Sequence, residues 1–387
     1  MKNDMKNRFL KKVAKRGFVF LMILGLLTVA GCAGAVQTGG KGNPGAGSET
    51  LSLQENELAV QFLDVGQGSA ALIHRGDSWM LMDGGDREYS SYVVSFLKKQ
   101  GVERLDYVVV SHYDADHLNG IVGVLNAFAC DQVLAPDYET DTKIYQSFLK
   151  VTEDKKIPVA HPKLGDTFSF ADSSFRIVSP VAYSYKDANS NSLGIRLEHG
   201  ANSFLICGDC TEESEQDLLY FGVDVDSDVY AANHHGSKYS NSEEFLEVVS
   251  PSHVVISCGK GNSYGHPNAS VMLSIQKLGA AMYRTDLQGI VTAISDGADI
   301  RFENEVCMDY RSGTEVAQAV KGQESGDEEK GNSAKETVYI INTSTRKFHL
   351  PGCGTVENMK EEHKEYTKKA RETLLEEGYD PCKRCNP

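Results

Sequence analysis

The sequence carries no surplus of positive charge. Thirty-nine lysines and arginines stand against 54 aspartates and glutamates, for a net charge of −15 over 387 residues. A protein that grips nucleic acid by broad charge attraction needs the opposite balance, whereas a nucleic-acid substrate held mainly by metal ions remains compatible with this one. Long apolar runs are missing as well. The stretch from Phe18 to Leu27 is too short to cross a bilayer comfortably, and no apolar span of membrane length follows residue 32, so no membrane channel is expected. Two segments lack the large side chains that build a core. Residues 33–57 are rich in Gly, Ser, Ala and Thr and read as a flexible tether; residues 311–336 are charged, with Gly and Ser, and read as a disordered linker. What remains divides into a main domain, 58–310, large enough to bury a full core, and a small module, 337–387.

The N-terminus begins with Lys2, Lys6, Arg8, Lys11, Lys12, Lys15 and Arg16, continues with the apolar run, and ends in Leu27-Thr-Val-Ala-Gly-Cys32. A basic start followed by a short apolar core is a targeting segment, here residues 1–32. Small residues before a cysteine resemble a bacterial lipobox. That resemblance implies cleavage before Cys32, lipid on the cysteine, and anchoring to the outer face of the cytoplasmic membrane.

The main domain centres on one stretch. Tyr107 to Val110 is a short apolar run that reads as a buried strand. After Ser111 come His112, Asp114, Asp116 and His117, and Leu118 to Leu125 reads as the start of a helix. Ligands for hard and borderline cations therefore sit on a turn at a strand end, where layered α/β folds open their ligand crevices. Two imidazoles and two carboxylates this close suggest two cations, because one ion could not easily use all four from so short a loop. The same context recurs downstream. Ser203-Phe-Leu-Ile-Cys-Gly-Asp209 is a buried strand ending in Asp209. Val229-Tyr-Ala-Ala-Asn-His-His-Gly-Ser-Lys238 ends in His234 and His235, one of which is expected to complete a metal site. Val254-Val-Ile-Ser-Cys-Gly leads to Asn262, Tyr264 and His266. Ser237, Lys238 and the Gly236 backbone could grip an anionic oxygen, and His266 could bind metal or protonate a leaving oxygen. Asn262 and Tyr264 would line the mouth. Cys207 and Cys210 bracket Asp209 and read as small core residues rather than a redox pair. His74, His161, His199, His253 and His363 have no such context and read as structural or exposed.

The motif H-x-D-x-D-H, with the opening Val60-Gln-Phe-Leu-Asp-Val-Gly-Gln-Gly68, resembles the metallo-β-lactamase superfamily, and within it the extracellular metallo-hydrolase domain of the competence protein ComEC. The resemblance covers roughly residues 58–305. It implies a four-layer αββα sandwich; spacing alone supports only α/β with mixed sheets. It implies a structural role for Asp83 beneath the metal loop and a bridging role for Asp209 between two divalent ions. His112, Asp114 and Asp209 would hold one ion; Asp116, His117, Asp209 and His234 or His235 the other. Two departures stand out. Ser69 replaces the acidic residue that usually follows the first glycine turn, and Asn191 and Ser192 stand where a further histidine is usual. Fewer nitrogen ligands shift the metal preference towards Mn²⁺ or Mg²⁺, with Zn²⁺ still possible. By resemblance the substrate is a phosphodiester, foremost DNA taken up in competence, with Asp116, Asp209, His266 and Lys238 as the catalytic set and a separate permease as partner. A cell-wall phosphodiester or a lactone is the alternative substrate; a surface DNA-binding factor with structural metals is the non-enzymatic alternative.

In the last module, Thr337 to Ile341 reads as a strand and Asn358 to Glu377 as a helix. His349, Cys353, Cys382 and Cys385 have the spacing H-x3-C…C-x2-C, which suits one tetrahedral zinc; a disulfide with a free thiol is the competing arrangement. The module is similar to the metal-binding module of the Ada DNA-repair protein, with His349 in place of a cysteine. Lys368, Lys369, Arg371, Lys383 and Arg384 form a solvated face or touch phosphates.

Overall fold

A computed structural model describes residues 51–319, 339–350, 353–357, 359–369, 371–382 and 385. The targeting segment with Cys32, most of the tether and of the linker, and Lys383 and Arg384 lie outside the described residues.

Among the described residues the strands form three sheets, of eight, seven and four strands. The first is built on β1 (Leu58–Phe62), β2 (Ala71–Arg75) and β3 (Ser78–Met82), an antiparallel meander whose short turns keep neighbours adjacent. It continues in parallel through β4 (Arg104–Val109), β5 (Ala129–Leu134) and β6 (Val159–Ala160). On its other side lie β14 (Val291–Ser295) and β15 (Ile300–Phe302). The second sheet runs antiparallel from β7 (Thr167–Phe170) through β8 (Ser173–Ser179) and β9 (Gly194–His199) to β10 (Asn202–Ile206). It then turns parallel through β11 (Val229–Ala231), β12 (His253–Ile256) and β13 (Ala281–Arg284).

Side chains alternate across each strand, so each sheet has two apolar faces to cover. Val60, Phe62, Ile73, Met80 and Met82 of the first sheet meet Phe175, Ile177, Ile195, Leu197 and Phe204 of the second in an inter-sheet core. The opposite face of the first sheet is covered by the helices Ser90–Lys99, Ala115–Ala127 and Lys143–Lys155. The opposite face of the second is covered by Glu212–Tyr220, Glu243–Val249 and Ala269–Leu278. This is the expected four-layer αββα sandwich. Both parallel runs end at the same edge as the metal loop, because every crossover helix returns the chain to start the next strand at the far edge.

Both flanking segments are shorter than expected. Glu57, in the tether, is buried and pairs with Arg301 (3.0 Å). At the linker's start, residues 313–319 are helical and Val316 is buried. The reason is a capping box that the composition obscured: Ser312 Oγ accepts from Glu315 N (3.3 Å), and Glu315 Oε2 accepts from Ser312 N (2.8 Å).

The third sheet orders β18 (Lys364–Thr367), β16 (Tyr339–Asn342), β17 (Lys347–His349) and β19 (Asp380–Pro381). The expected helix over 358–377 is therefore wrong for most of its length. Lys364–Thr367 pairs with Asn342–Tyr339 instead; among the described residues of this stretch only Arg371–Glu376, around the buried Leu374, is α-helical, with one 3-10 turn at Glu361–His363. A Glu- and Lys-rich stretch has helix propensity, but propensity is a weak prior beside an unpaired strand edge.

Candidate metal centre

The centre assembles where β3, β4, β10 and β11 end. After β3, Asp83-Gly-Gly85 docks on the helix Ala115–Ala127 main chain to main chain. Gly84 N donates to His117 O (2.8 Å) and Gly120 N to Gly85 O (3.0 Å), and a Cβ on Gly120 would collide with the Gly84 carbonyl. That contact carries Asp83 beneath the loop after β4. Its Oδ1 accepts from Ser111 N (2.8 Å); its Oδ2 accepts from Ser111 Oγ (2.7 Å) and from His117 Nδ1 (2.8 Å).

These bonds aim the imidazoles. His117 gives its Nδ1–H to Asp83. His112 Nδ1 lies 3.0 Å from Ser111 Oγ, whose own proton goes to Asp83, so this imidazole also donates from Nδ1. His235 Nδ1 donates to Ser257 O (2.9 Å). Each of the three therefore turns Nε2 inward, the arrangement by which an outer carboxylate or carbonyl fixes a ligating histidine. His112 Nε2 is fully buried and finds no hydrogen-bond partner. A buried nitrogen lone pair without a donor fits a cation, and so does the rest of the donor set.

Asp209 sits between two such sets. Its Oδ1 is 3.1 Å from His117 Nε2 and 3.4 Å from His235 Nε2, and His235 Nε2 is 3.3 Å from Asp116 Oδ2. Its Oδ2 is 3.5 Å from His234 Nε2 and 4.0 Å from His112 Nε2, and His112 Nε2 is 3.9 Å from the exposed Asp114. The two neighbouring histidines thus both reach Asp209, one on each oxygen. His235 joins Asp116 and His117; His234 faces the side of His112. Asp209 does not cap the helix that follows it: Thr211 does, with Ser214 Oγ accepting from Thr211 N (3.0 Å).

Placing His234 and His235 this way needs unusual backbone. Both adopt left-handed φ, 50° and 56°, followed by Gly236 at 79°, at a cost of roughly 1 kcal/mol or more for each non-glycine residue. The buried Glu215 holds the strained loop: it accepts from Asn233 Nδ2 (2.9 Å), Asn241 N (2.6 Å) and Ser242 N (2.9 Å). Ser111, Glu215, Asn233 and Asn241 were not singled out in the sequence.

Other expected residues hold loops. The Asn191 amide bonds the main chain of Tyr185 and Asp187, and Asn262 cross-braces Gly259, Tyr264 and His266. Asparagine's paired donor and acceptor suit such a loop brace. Ser237 is buried and accepts from Tyr239 N (3.3 Å). Ser69 reaches Asp116 through its main chain, N to O at 3.2 Å. Lys238 is exposed, its ammonium 5.0 Å over the Tyr239 ring, and Tyr264 is exposed as well. Cys207 and Cys210 are buried in the core with thiols raised by burial.

Burial alone would raise the Asp209 and Asp116 carboxyls, yet the facing imidazoles of His235 and His117 hold both below the ordinary carboxylate range. Burial would lower His117 and His235, and the carboxylates overcome it to hold both above the usual imidazole value. His112 stays low, through burial and the neighbouring His117. Burial, then His235 and His234, bring His266 down to about 4. The raised imidazoles favour the cation-free fold below pH ~6.5, and that contribution fades as pH rises through their folded values; the lowered carboxylates contribute above pH ~4 and lose it only in acid. A cation must displace the imidazole protons. Cation uptake near neutrality is therefore expected to release protons, and apparent affinity to rise with pH. Titration calorimetry in buffers of differing ionisation enthalpy counts them; uptake without release would refute this protonation pattern.

In the third sheet's module, donor atoms of His349, Cys353, Cys382 and Cys385 all lie within 4.8 Å of one another. His349 Nδ1 is buried without a hydrogen-bond partner, and hydrogen bonds with Thr355 and His349 bring the Cys353 thiol down to about 6. Among the described residues no cysteine is in a disulfide. The donor set fits one cation.

The profile of the metallo-beta-lactamase superfamily matches residues 63–260. ComE operon protein 3 of Bacillus subtilis (strain 168) is 27% identical over 254 residues, 61% of this chain and 33% of that protein. Competence protein ComA of Neisseria gonorrhoeae is 30% identical over 243 residues, 62% of this chain and 32% of that protein. Recombination protein 2 of Haemophilus influenzae is 30% identical over 237 residues, covering 60% and 28%. The chain spans about a third of the length of these relatives. Among solved structures, the metallo-beta-lactamase fold protein YhfI of Bacillus subtilis aligns with a TM-score of 0.43 at 10% identity, over 60% of this chain and 99% of that one.

Proposed function

The chain belongs to the metallo-β-lactamase superfamily of metal-dependent hydrolases, and from that premise we propose that it is a phosphodiesterase acting on DNA. One observation carries the reading: Asp209 lies between two sets of inward-facing donors, in a chain similar to competence proteins. When bound, two divalent cations held by His112, Asp114, His234 and Asp209 and by Asp116, His117, His235 and Asp209 would supply Lewis acidity and activation of water. The carboxylates in both sets favour Mn²⁺, Mg²⁺ or Zn²⁺ over softer ions.

The chain's own residues do the rest. Asp83 and Ser111 keep His112 and His117 turned inward. Glu215 keeps the His234–His235 turn in its strained shape. Lys238, exposed three residues after His235 in an acidic protein, would attract a phosphodiester anion. A lipid anchor on Cys32 at the outer face of the cytoplasmic membrane belongs to the same reading, supported by the basic start and the small residues before the cysteine. Among the described residues no helix is long and apolar enough to cross a membrane, and a separate DNA-uptake permease is the partner we propose.

The test is hydrolysis of single- and double-stranded DNA, and of a bis-phosphodiester chromogen, by metal-stripped protein given back Mn²⁺, Mg²⁺ or Zn²⁺. DNA cleavage restored by a cation is the expected result. Chromogen turnover alone would move the substrate to another phosphodiester, such as one of the cell wall. No turnover with any cation would leave a DNA-binding factor with structural metals.

A further inference from the structure

Gln67 lies on the turn after β1 and His266 on the loop after β12, 199 residues apart, and their side chains meet. The Gln67 carboxamide cannot be flipped end for end. Gly259 N–H lies 3.2 Å from Gln67 Oε1, and only the carbonyl end can accept it. The approach depends on glycine, because a Cβ at position 259 would come within 2.5 Å of Gln67 N. The amide nitrogen Nε2 therefore faces His266 Nδ1, 3.4 Å away. Gln67 Nε2 can only donate, so Nδ1 must accept and carries no proton. That leaves the imidazole neutral, with its proton on Nε2.

This is the opposite tautomer to the one set at His112, His117 and His235, whose Nδ1 atoms face acceptors. The loop around His266 is fixed. Asn262 Oδ1 accepts from His266 N (3.0 Å), and Asn262 Nδ2 donates to His266 O (2.6 Å). Gly313 N donates to Pro267 O (2.9 Å), and the Tyr264 ring lies 5.6 Å from the His266 ring at 23°. The ring stays beside the centre, 5.6 Å from His234 and 6.3 Å from His235 between ring centroids.

We propose that Gln67 is a positioning residue that sets His266 apart from the ligating histidines, holding it as a neutral Nε2–H donor to a phosphoryl oxygen of the substrate. The inference rests on the phosphodiesterase reading for its substrate, while the tautomer rests on the geometry alone. With Nδ1 occupied and Nε2 protonated, His266 has no lone pair to give a cation. A neutral imidazole N–H is also a very weak acid, so it lends a hydrogen bond to developing negative charge and keeps its proton.

The variant Gln67→Glu tests this with little change of shape. One carboxylate oxygen still accepts from Gly259; the other replaces the amide donor with an acceptor and draws the ring proton to Nδ1. Side-chain ¹⁵N shifts of His266, measured on the cation-loaded full chain and assigned with His266→Gln, should show Nε2 protonated and Nδ1 bare in the wild type, and the reverse in Gln67→Glu. Turnover of the chromogen should fall on the order of 100-fold in kcat, with KM little changed. His266→Gln should bind as many cations as the wild type. A protonated Nδ1 in the wild type, or loss of one cation equivalent in His266→Gln, would overturn the proposal. If the wild type hydrolyses no phosphodiester, the hydrolase reading fails, and the ring-nitrogen shifts and cation count still decide the role of Gln67.

Discussion

Asp209→Asn is expected to lower hydrolysis by roughly 10³-fold or more, beyond the 10²–10³ typical of a single oxyanion donor, while leaving the domain folded. Among the described residues no other carboxylate approaches both His117 and His235 on one oxygen and His234 on the other. An amide presents one acceptor oxygen, so one of the two donor sets loses its shared ligand. Stability should change little. The carboxylate is buried, and what holds it ionised is the pair of raised imidazoles. When the carboxylate goes, those imidazoles lose their main reason to be protonated, and burial then favours their neutral forms. The site sheds charge on both sides instead of exposing an unpaired ion. The expected record is near-complete loss of turnover, loss of at least one bound cation by elemental analysis, and a melting temperature within a few degrees of the wild type. Retained turnover with both cations bound would sink the bridging role.

Much of this centre was legible because its residues cluster at strand ends. A buried strand is a short apolar run, and a run that stops at His or Asp marks a side chain delivered to the edge of a sheet. Asp83, the His112–His117 loop, Asp209 and the His234–His235 pair all carry that mark. The partition of the pair was not legible. It depends on two left-handed residues held by Glu215, whose place on the buried side of a helix becomes meaningful only once that helix is packed against the loop. The roles of Ser111 and Gln67 depend on contacts with residues distant in sequence or on hydrogen-bond direction, which spacing does not encode. In the last module, local helix propensity was outvoted by pairing with β16.

That module is where cation removal should act most strongly on folding. Among the described residues its apolar core consists of little more than Ile340, Ile341, Phe348, Val356, Met359 and Leu374. So few side chains on about 50 residues do not offset the entropy of ordering the chain. The four donor atoms supply what the core lacks. They come from the end of β17, the turn after it, and the segment after β19, so one cation would tie together both ends of the module. Apparent binding energies of about 10–16 kcal/mol are typical of such structural zinc sites near neutral pH, and where the fold exists only with the ion, that energy is folding energy. Cys382→Ser in the full chain is therefore expected to cost one cation equivalent and most of the hydrogen-exchange protection of Tyr339–Asn342. The hydrolase domain, with three apolar clusters of its own, should keep its protection and its turnover. The low Cys353 thiol sharpens the expectation, because a thiol near 6 is largely thiolate at neutral pH and needs little proton displacement to accept the ion. Should Tyr339–Asn342 stay protected after the cation is stripped, the sheet holds itself together and the four residues serve something other than stability.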